Sequence, residues 1–358
     1  MKINRIINKD ALSGLKELED ESVNICITSP PYYGLRVYNV PQKWGDGYEG
    51  ELGFEPTIEL YIEHLVQIFR EVRRVLKKDG TCWVVMGDTY NGDKKGYTYG
   101  QYADGRKLKQ QYQKGDIYKH EYRKKPIPGI PLKCLLMIPA RFAIAMIDSG
   151  WTLRNEIIWT KNGMASSAKD RYTINYDHIY FFSKSLKYQF KTQYQPYSPA
   201  TLGQYGQKYN GKAQKDYEAH GVQNPSNVKR SIIKSINTNL KMPPIGGKKN
   251  RGVSQTYSGN TPYFSEKGAI MRAVWKINNQ PSPIKHYATF PEMLVRRMLN
   301  PIKGLNGLVL DPFAGVGTVA VVANKMNFDW IMIEPSEEYC GYIQQRLDGM
   351  VTYLLKNI

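Results

Sequence analysis

The chain has 358 residues, 41% of them hydrophobic, a net charge of +18 and four cysteines. That length holds one large α/β domain with an insert, or two domains, and the positive excess selects a polyanionic partner, nucleic acid ahead of a membrane surface. No long apolar span or signal-peptide core occurs, and Cys26, Cys82, Cys134 and Cys340 are scattered, which argues against a membrane span, a zinc site and a disulfide framework and for a reducing cytoplasm.

Residues 3–7 predict a strand, 11–18 (ALSGLKEL) a helix and 23–29 (VNICITS) a strand, together a tight βαβ unit. Over 59–80 apolar residues recur at helical spacing and end in Lys-Lys-Asp-Gly, a helix stop. TCWVVMGD (81–88) reads as a buried strand, so the first 90 residues predict part of a parallel sheet covered by helices. Residues 91–130 form a basic loop in which lysines interleave with tyrosines, suited to phosphates and bases; a solvated insertion is the plain alternative. Residues 131–147 predict a helix, and 156–161 (EIIWTK) with 177–185 (DHIYFFSKS) an antiparallel pair at the sheet's far edge.

Residues 190–275 are rich in Lys, Arg, Asn and Gln and poor in acids. Asn and Gln suit base edges, and Lys and Arg suit phosphates and guanine. The segment is expected to be a DNA target-recognition insert, with Lys241, Lys248, Lys249 and Arg251 as candidate contacts. The α/β pattern then resumes with a helix (290–302), a strand (307–311), a glycine turn opening a helix (311–326), a strand (329–335) and a last helix (336–350). Residues 1–189 and 276–358 are therefore expected to be two parts of one domain.

Two stretches carry chemistry. In TSPPYYGLRVY (28–38) consecutive prolines make a rigid exit from a buried strand. They would hold the Ser29 hydroxyl, the Pro30 carbonyl and the Tyr32 ring at one edge, which suits a flat ligand bearing an amino group. In VLDPFAGVGT (309–318) Gly315 and Gly317 let the backbone approach a ligand closely, and Glu334 ends the next strand, where an acid accepts from ribose hydroxyls. The spacing fits nicotinamide cofactors and S-adenosylmethionine alike, because both carry adenosine.

Taken together in this order, SPPY before DPFAGVGT, these stretches resemble the amino-directed DNA methyltransferases of the permuted β group, which methylate N4 of cytosine or N6 of adenine. NKDALSGLKELEDESVNICITSPPYYGLRVY, VRRVLKKDGTCWVVMGDTY, the 153–185 hairpin block and HYATFPEMLVRRML resemble further family blocks in order. The resemblance implies a Rossmann-like α/β methyltransferase fold with circularly permuted motifs, and S-adenosyl-L-methionine as cofactor. It makes Ser29, Pro30, Pro31 and Tyr32 catalytic, with Ser29 and the Pro30 carbonyl accepting from the target amine and Tyr32 stacking on a flipped-out base. It puts Asp10 near adenine, Glu334 on ribose, and Asp311, Pro312, Phe313, Gly315, Gly317 and Thr318 along the methionine portion. Thr28, Thr289 and Phe290 complete the implied cofactor set; Asp10 is equally a helix cap.

The hairpin block departs from the family. Lys161-Asn162-Gly163 lacks a proline run, and Tyr176-Asp177-His178 stands where His-Glu-Tyr is common, so no catalytic role is assigned there. Serine before Pro-Pro-Tyr resembles the cytosine-N4 enzymes more than the adenine-N6 ones. Cytosine C5 chemistry needs a nucleophilic cysteine after a proline, and no Pro-Cys pair occurs. The expected partners are duplex DNA and a cognate restriction endonuclease; RNA methylation and a non-catalytic DNA-binding regulator are the alternatives.

Overall fold

The computed structural model describes residues 2–35, 38, 40–92, 126–162, 169–196, 268–279, 291–305 and 307–356, with the backbone alone from 350. Eight strands build one mixed sheet: β1 (Arg5–Ile7), β2 (Val23–Thr28), β3 (Leu76–Met86), β4 (Thr152–Thr160), β5 (Tyr176–Ser183), β6 (Val274–Lys276), β7 (Leu308–Asp311) and β8 (Asp329–Ile333). Their spatial order is β1-β8-β7-β2-β3-β5-β4-β6. From β1 to β3 in that order all pairs are parallel. β5 is antiparallel to both β3 and β4, and β6 is parallel to β4.

Four expectations are corrected. β1 and β2 are not neighbours: β8 and β7, from the far end of the chain, stand between them. The five-residue helix α1 (Ala11–Leu15) packs on β8 instead, because Gly14 has no Cβ; one would fall 2.6 Å from Ile333 Cγ2. Helix α2 (Ile58–Val75) stops before Lys-Lys-Asp-Gly, since Leu76 turns to extended backbone and pairs with Val23. Lys77–Gly80 become an irregularity in β3, whose register jumps to Thr81 opposite Ile25. Helix α3 (Ile138–Asp148) begins seven residues later than 131, because Lys133 and Met137 adopt left-handed backbone. The preceding amides pair with 89–91, as in Lys133 N to Asn91 O (2.6 Å) and Leu136 N to Thr89 O (2.9 Å). Finally, the β4–β5 pair is antiparallel as expected but not the edge: β6 covers β4.

α2 enters on a Thr57 cap, whose Oγ1 accepts from Leu60 N at 3.2 Å. Its apolar stripe buries Tyr61, Leu65, Phe69 and Val72, with Phe69 edge-on to Phe142 of α3 at 5.2 Å. Each such side chain contributes about 1.5–3 kcal/mol of burial. Helices α4 (Glu292–Leu299), α5 (Thr318–Lys325) and α6 (Glu337–Lys356) complete the layers. Among the described residues no helix is long and apolar enough to cross a membrane.

Backbone contacts divide the chain into one compact unit, Met1–Lys191 with Arg272–Ile358, and a second, Thr192–Met271. The sheet belongs to the first. In the second, the described residues form a short antiparallel ladder, Tyr194–Gln195 with Ala269–Ile270.

Candidate active site

Parallel direction brings the carboxyl ends of β1, β8, β7, β2 and β3 to one edge of the sheet. β4 runs the same way, so its end joins them, and β5 starts there. Between β7 and β2 the connections diverge: β7 leads through α5 to β8 on one side, β2 through α2 to β3 on the other. Open α/β sheets bind ligands at such a switch point. A cavity of about 350 Å³ opens at this edge, lined from Ser29–Tyr32, Lys161 and Asp177 at one end to Asp311, Phe313, Gly315, Thr318, Glu334 and Tyr339 at the other.

One end is a backbone cradle with two carboxylates. Gly315 and Gly317 both have positive φ, 52° and 75°, which only glycine adopts without strain. A Cβ on Gly317 would also fall 2.7 Å from Ile343 Cγ1 of α6. The Glu334 carboxylate accepts from Gly315 N (2.8 Å) and Ser336 N (3.0 Å), so it ties the glycine turn to the end of β8. Asp311 Oδ1 accepts from Thr28 Oγ1 (2.6 Å) and Phe313 N (3.0 Å); Oδ2 takes neither bond. Burial pushes both acids up to about 7, against these hydrogen bonds, and the charge of Asp311 adds to the effect on Glu334.

The other end is assembled from separate segments. Tyr61 of α2 donates to Pro31 O at 2.7 Å, which fixes the direction of that carbonyl. Tyr32 lies against Gly87, the residue after β3. Its hydroxyl is 3.5 Å from Asp177 Oδ2, which is ion-paired with Lys161. Glu51 Oε1 accepts from Tyr38 N (2.7 Å) and Val40 N (2.9 Å), holding beside the cavity two residues that line it.

Of the residues expected from sequence, Ser29, Pro30, Pro31, Tyr32, Asp311, Phe313, Gly315, Thr318 and Glu334 line this one cavity. Thr28 sits behind it, bonded to Asp311, and Gly317 is packed on α6. Asp10 caps α1, its Oδ1 accepting from Ser13 N at 2.9 Å, and does not line the cavity. Thr289, Phe290, Lys241, Lys248, Lys249 and Arg251 lie outside the described residues. Cys26 is buried in β2, its thiol pushed up by burial and by neighbouring Cys82. His178 is bonded to Glu156 at 2.7 Å. The sequence reading missed Tyr61, Gly87, Lys161, Asp177 and Arg346, whose guanidinium donates to Val316 O (2.7 Å) and Thr318 Oγ1 (3.3 Å). Only Lys161 and Asp177 had a local signal, as the end and start of two predicted strands.

The DNA methylase model for N6- and N4-directed enzymes matches residues 23–345. The chain belongs to this family: it is an amino-directed DNA methyltransferase. Type II methyltransferase M.SmaI of Serratia marcescens is 31% identical over 344 residues, 96% of this chain and 90% of that protein. Among solved structures, the PvuII DNA methyltransferase (cytosine-N4-specific) superposes with a TM-score of 0.54 at 17% identity, over 97% of this chain and 86% of that one. A putative DNA modification methylase from Thermus thermophilus, complexed with S-adenosyl-L-methionine, gives 0.52 at 16%, over 96% and 93%. The fold is thus the Rossmann-like α/β fold of methyltransferases that use S-adenosyl-L-methionine.

The residues present fit that cofactor. Two buried carboxylates with remaining acceptor capacity face the cavity, matching ribose hydroxyls and the ammonium of the amino acid end, and the glycine turn leaves the backbone bare.

Proposed function

We propose that the protein methylates the exocyclic N4 amine of a cytosine flipped out of duplex DNA at a specific sequence. The observation that carries this reading is the cavity that joins the Ser29–Tyr32 wall to the Asp311–Glu334 cradle. When bound, S-adenosylmethionine supplies an electrophilic methyl group. Asp311, Phe313, Gly315, Thr318 and Glu334 would hold it, with Thr28 and Gly317 supporting them from behind.

An exocyclic amine on an aromatic ring is a poor nucleophile, since its lone pair is delocalised. Ser29 Oγ and the Pro30 carbonyl accept from its two N–H groups and favour a localised lone pair. The prolines set these acceptors before the base arrives, so little reorganisation remains. Tyr32 stacks on the base. Serine rather than aspartate before Pro-Pro-Tyr supports cytosine over adenine.

Residues 190–275 act in this reading as the DNA-reading insert, with Lys241, Lys248, Lys249 and Arg251 on phosphates, and a restriction endonuclease of the same specificity as partner. Each phosphate contact removed should lower the salt slope of binding by about 0.9. Unchanged affinity and slope after Lys-to-Ala changes there would remove this segment from the interface.

The test of the reaction is nucleoside mass spectrometry of plasmid DNA treated with the protein and S-adenosylmethionine. N4-methylcytosine is expected. N6-methyladenine would overturn the base assignment, and methylation confined to RNA, or none, would overturn the substrate.

A further inference from the structure

Lys161 and Asp177 belong to neither motif, yet both line the base end of the cavity. Their side chains are only 12% and 15% exposed and are ion-paired with each other. The Lys161 ammonium also sits 4.3 Å from the centre of the Trp159 ring. A largely buried ion pair is a weak source of stability, because desolvation offsets its attraction. What it does provide here is a fixed carboxylate beside Tyr32. Tyr32 Oη stands 3.5 Å from Asp177 Oδ2, and the ring rests where a Cβ on Gly87 would come 2.5 Å from Tyr32 Cε2 and 3.2 Å from Asp177 Oδ1. Burial, and then the Asp177 charge, push the phenol well above its ordinary range, against a hydrogen bond with Ser29 that lowers it, so the hydroxyl stays protonated and can donate.

We propose that Lys161 and Asp177 are positioning residues for methyl transfer, anchoring the Tyr32 hydroxyl so that its ring is fixed over Gly87 before a base enters. Lys161 keeps Asp177 aimed at Tyr32; Trp159 keeps Lys161 in place. The proposal rests on the reading that the Ser29–Tyr32 wall receives the base.

A double-mutant cycle tests it. Tyr32→Phe and Asp177→Asn should each lower kcat about tenfold, with KM for S-adenosylmethionine unchanged, and the double variant should be no worse than either. Lys161→Met should match Asp177→Asn, and Lys161→Arg should recover most of kcat. In cofactor-free protein carrying 3-fluorotyrosine, Asp177→Asn should shift the ¹⁹F resonance that Tyr32→Phe deletes. Losses that multiply to about a hundredfold in the double variant, or an unmoved resonance, would overturn the anchor. If the wild-type protein methylates no DNA, the base reading fails, while the ¹⁹F result still judges the anchor on its own.

Discussion

The two ends of the cavity are built differently. The cofactor end comes almost entirely from one stretch, β7, the glycine turn, α5 and β8, with Thr28 behind it. The base end draws on residues after β2, β3 and β4, the start of β5, and α2. One end presents two buried carboxylates held by hydroxyl and amide donors rather than by a described cation. The other presents neutral acceptors, aromatic faces and one closed ion pair. A ligand with hydroxyls and a positive charge suits the first, and a neutral heterocycle suits the second. Functions so divided should be separable by mutation.

The largest effect is expected from Ser29→Ala. Loss of one preorganised polar partner at a reacting centre typically costs about 10²–10³ in kcat. Binding of S-adenosylmethionine, measured by calorimetry, should be unchanged. Tyr32→Ala should behave alike. Loss of cofactor affinity in either variant would erase the division between the ends.

Gly317→Ala attacks the opposite end. It places a side chain at φ 75°, within 2.8 Å of two Ile343 carbons. Strain of this kind costs about 1–3 kcal/mol. Both the melting temperature and cofactor affinity should fall, and adding Ile343→Ala should recover the part due to contact but not the part due to φ. Complete recovery would show that backbone conformation is immaterial there.

A pH profile separates the ends without mutation. Asp311 and Glu334 titrate at about 7 in the ligand-free fold, above the ordinary carboxylate range. Between about pH 4 and 7 the folded chain therefore holds protons that the unfolded chain has lost, so stability falls as pH rises through that window. The slope is at most about 1.4 kcal/mol per pH unit for each group. The cofactor's hydroxyls and amino group need ionised acceptors, so its affinity should instead rise between about pH 6 and 8. Melting curves with and without cofactor would read both trends, and Asp311→Asn with Glu334→Gln should flatten them. An affinity independent of pH in the unmodified protein would place the ligand away from these acids.

The same division explains what could be read from sequence. The cofactor end was legible because its parts are contiguous: a strand, Asp311, a glycine turn, a helix, and Glu334 one strand later. Ser29–Tyr32 was legible because two prolines after an apolar strand leave few conformations. Tyr61 was not, since on a helical stripe it reads as one more core residue; only the path of the chain after Pro31 gives its hydroxyl a task. Lys161 and Asp177 are sixteen positions apart and meet only because β4 and β5 pair. α2 was overrun because Lys-Lys-Asp-Gly resembles a helix stop, whereas the β2 edge claims Leu76 first. β6, three residues at the end of a basic segment, has no pattern of its own.

The smallest expected effects come from two donors that play matching parts. Tyr61 reaches from α2 to Pro31 O at 2.7 Å, and Arg346 from α6 to Val316 O at 2.7 Å. Each is a helix-borne side chain gripping one carbonyl of a loop that lines the cavity. Neither carbonyl belongs to an acceptor of the proposed reaction, so Tyr61 acts through loop geometry alone, while Arg346 also donates to Thr318 Oγ1 at 3.3 Å. A net hydrogen bond is worth about 1 kcal/mol, or roughly fivefold in an equilibrium. Tyr61→Phe should therefore lower kcat several-fold and leave cofactor affinity intact, and Arg346→Met should weaken cofactor binding by a similar factor and leave kcat at saturating cofactor intact. Because both changes are small, they are the most sensitive probe of coupling. If Tyr61→Phe weakened the cofactor, or Arg346→Met slowed transfer at saturation, the shared wall between β2 and β7, where Thr28 bonds Asp311, would be transmitting strain from one end to the other.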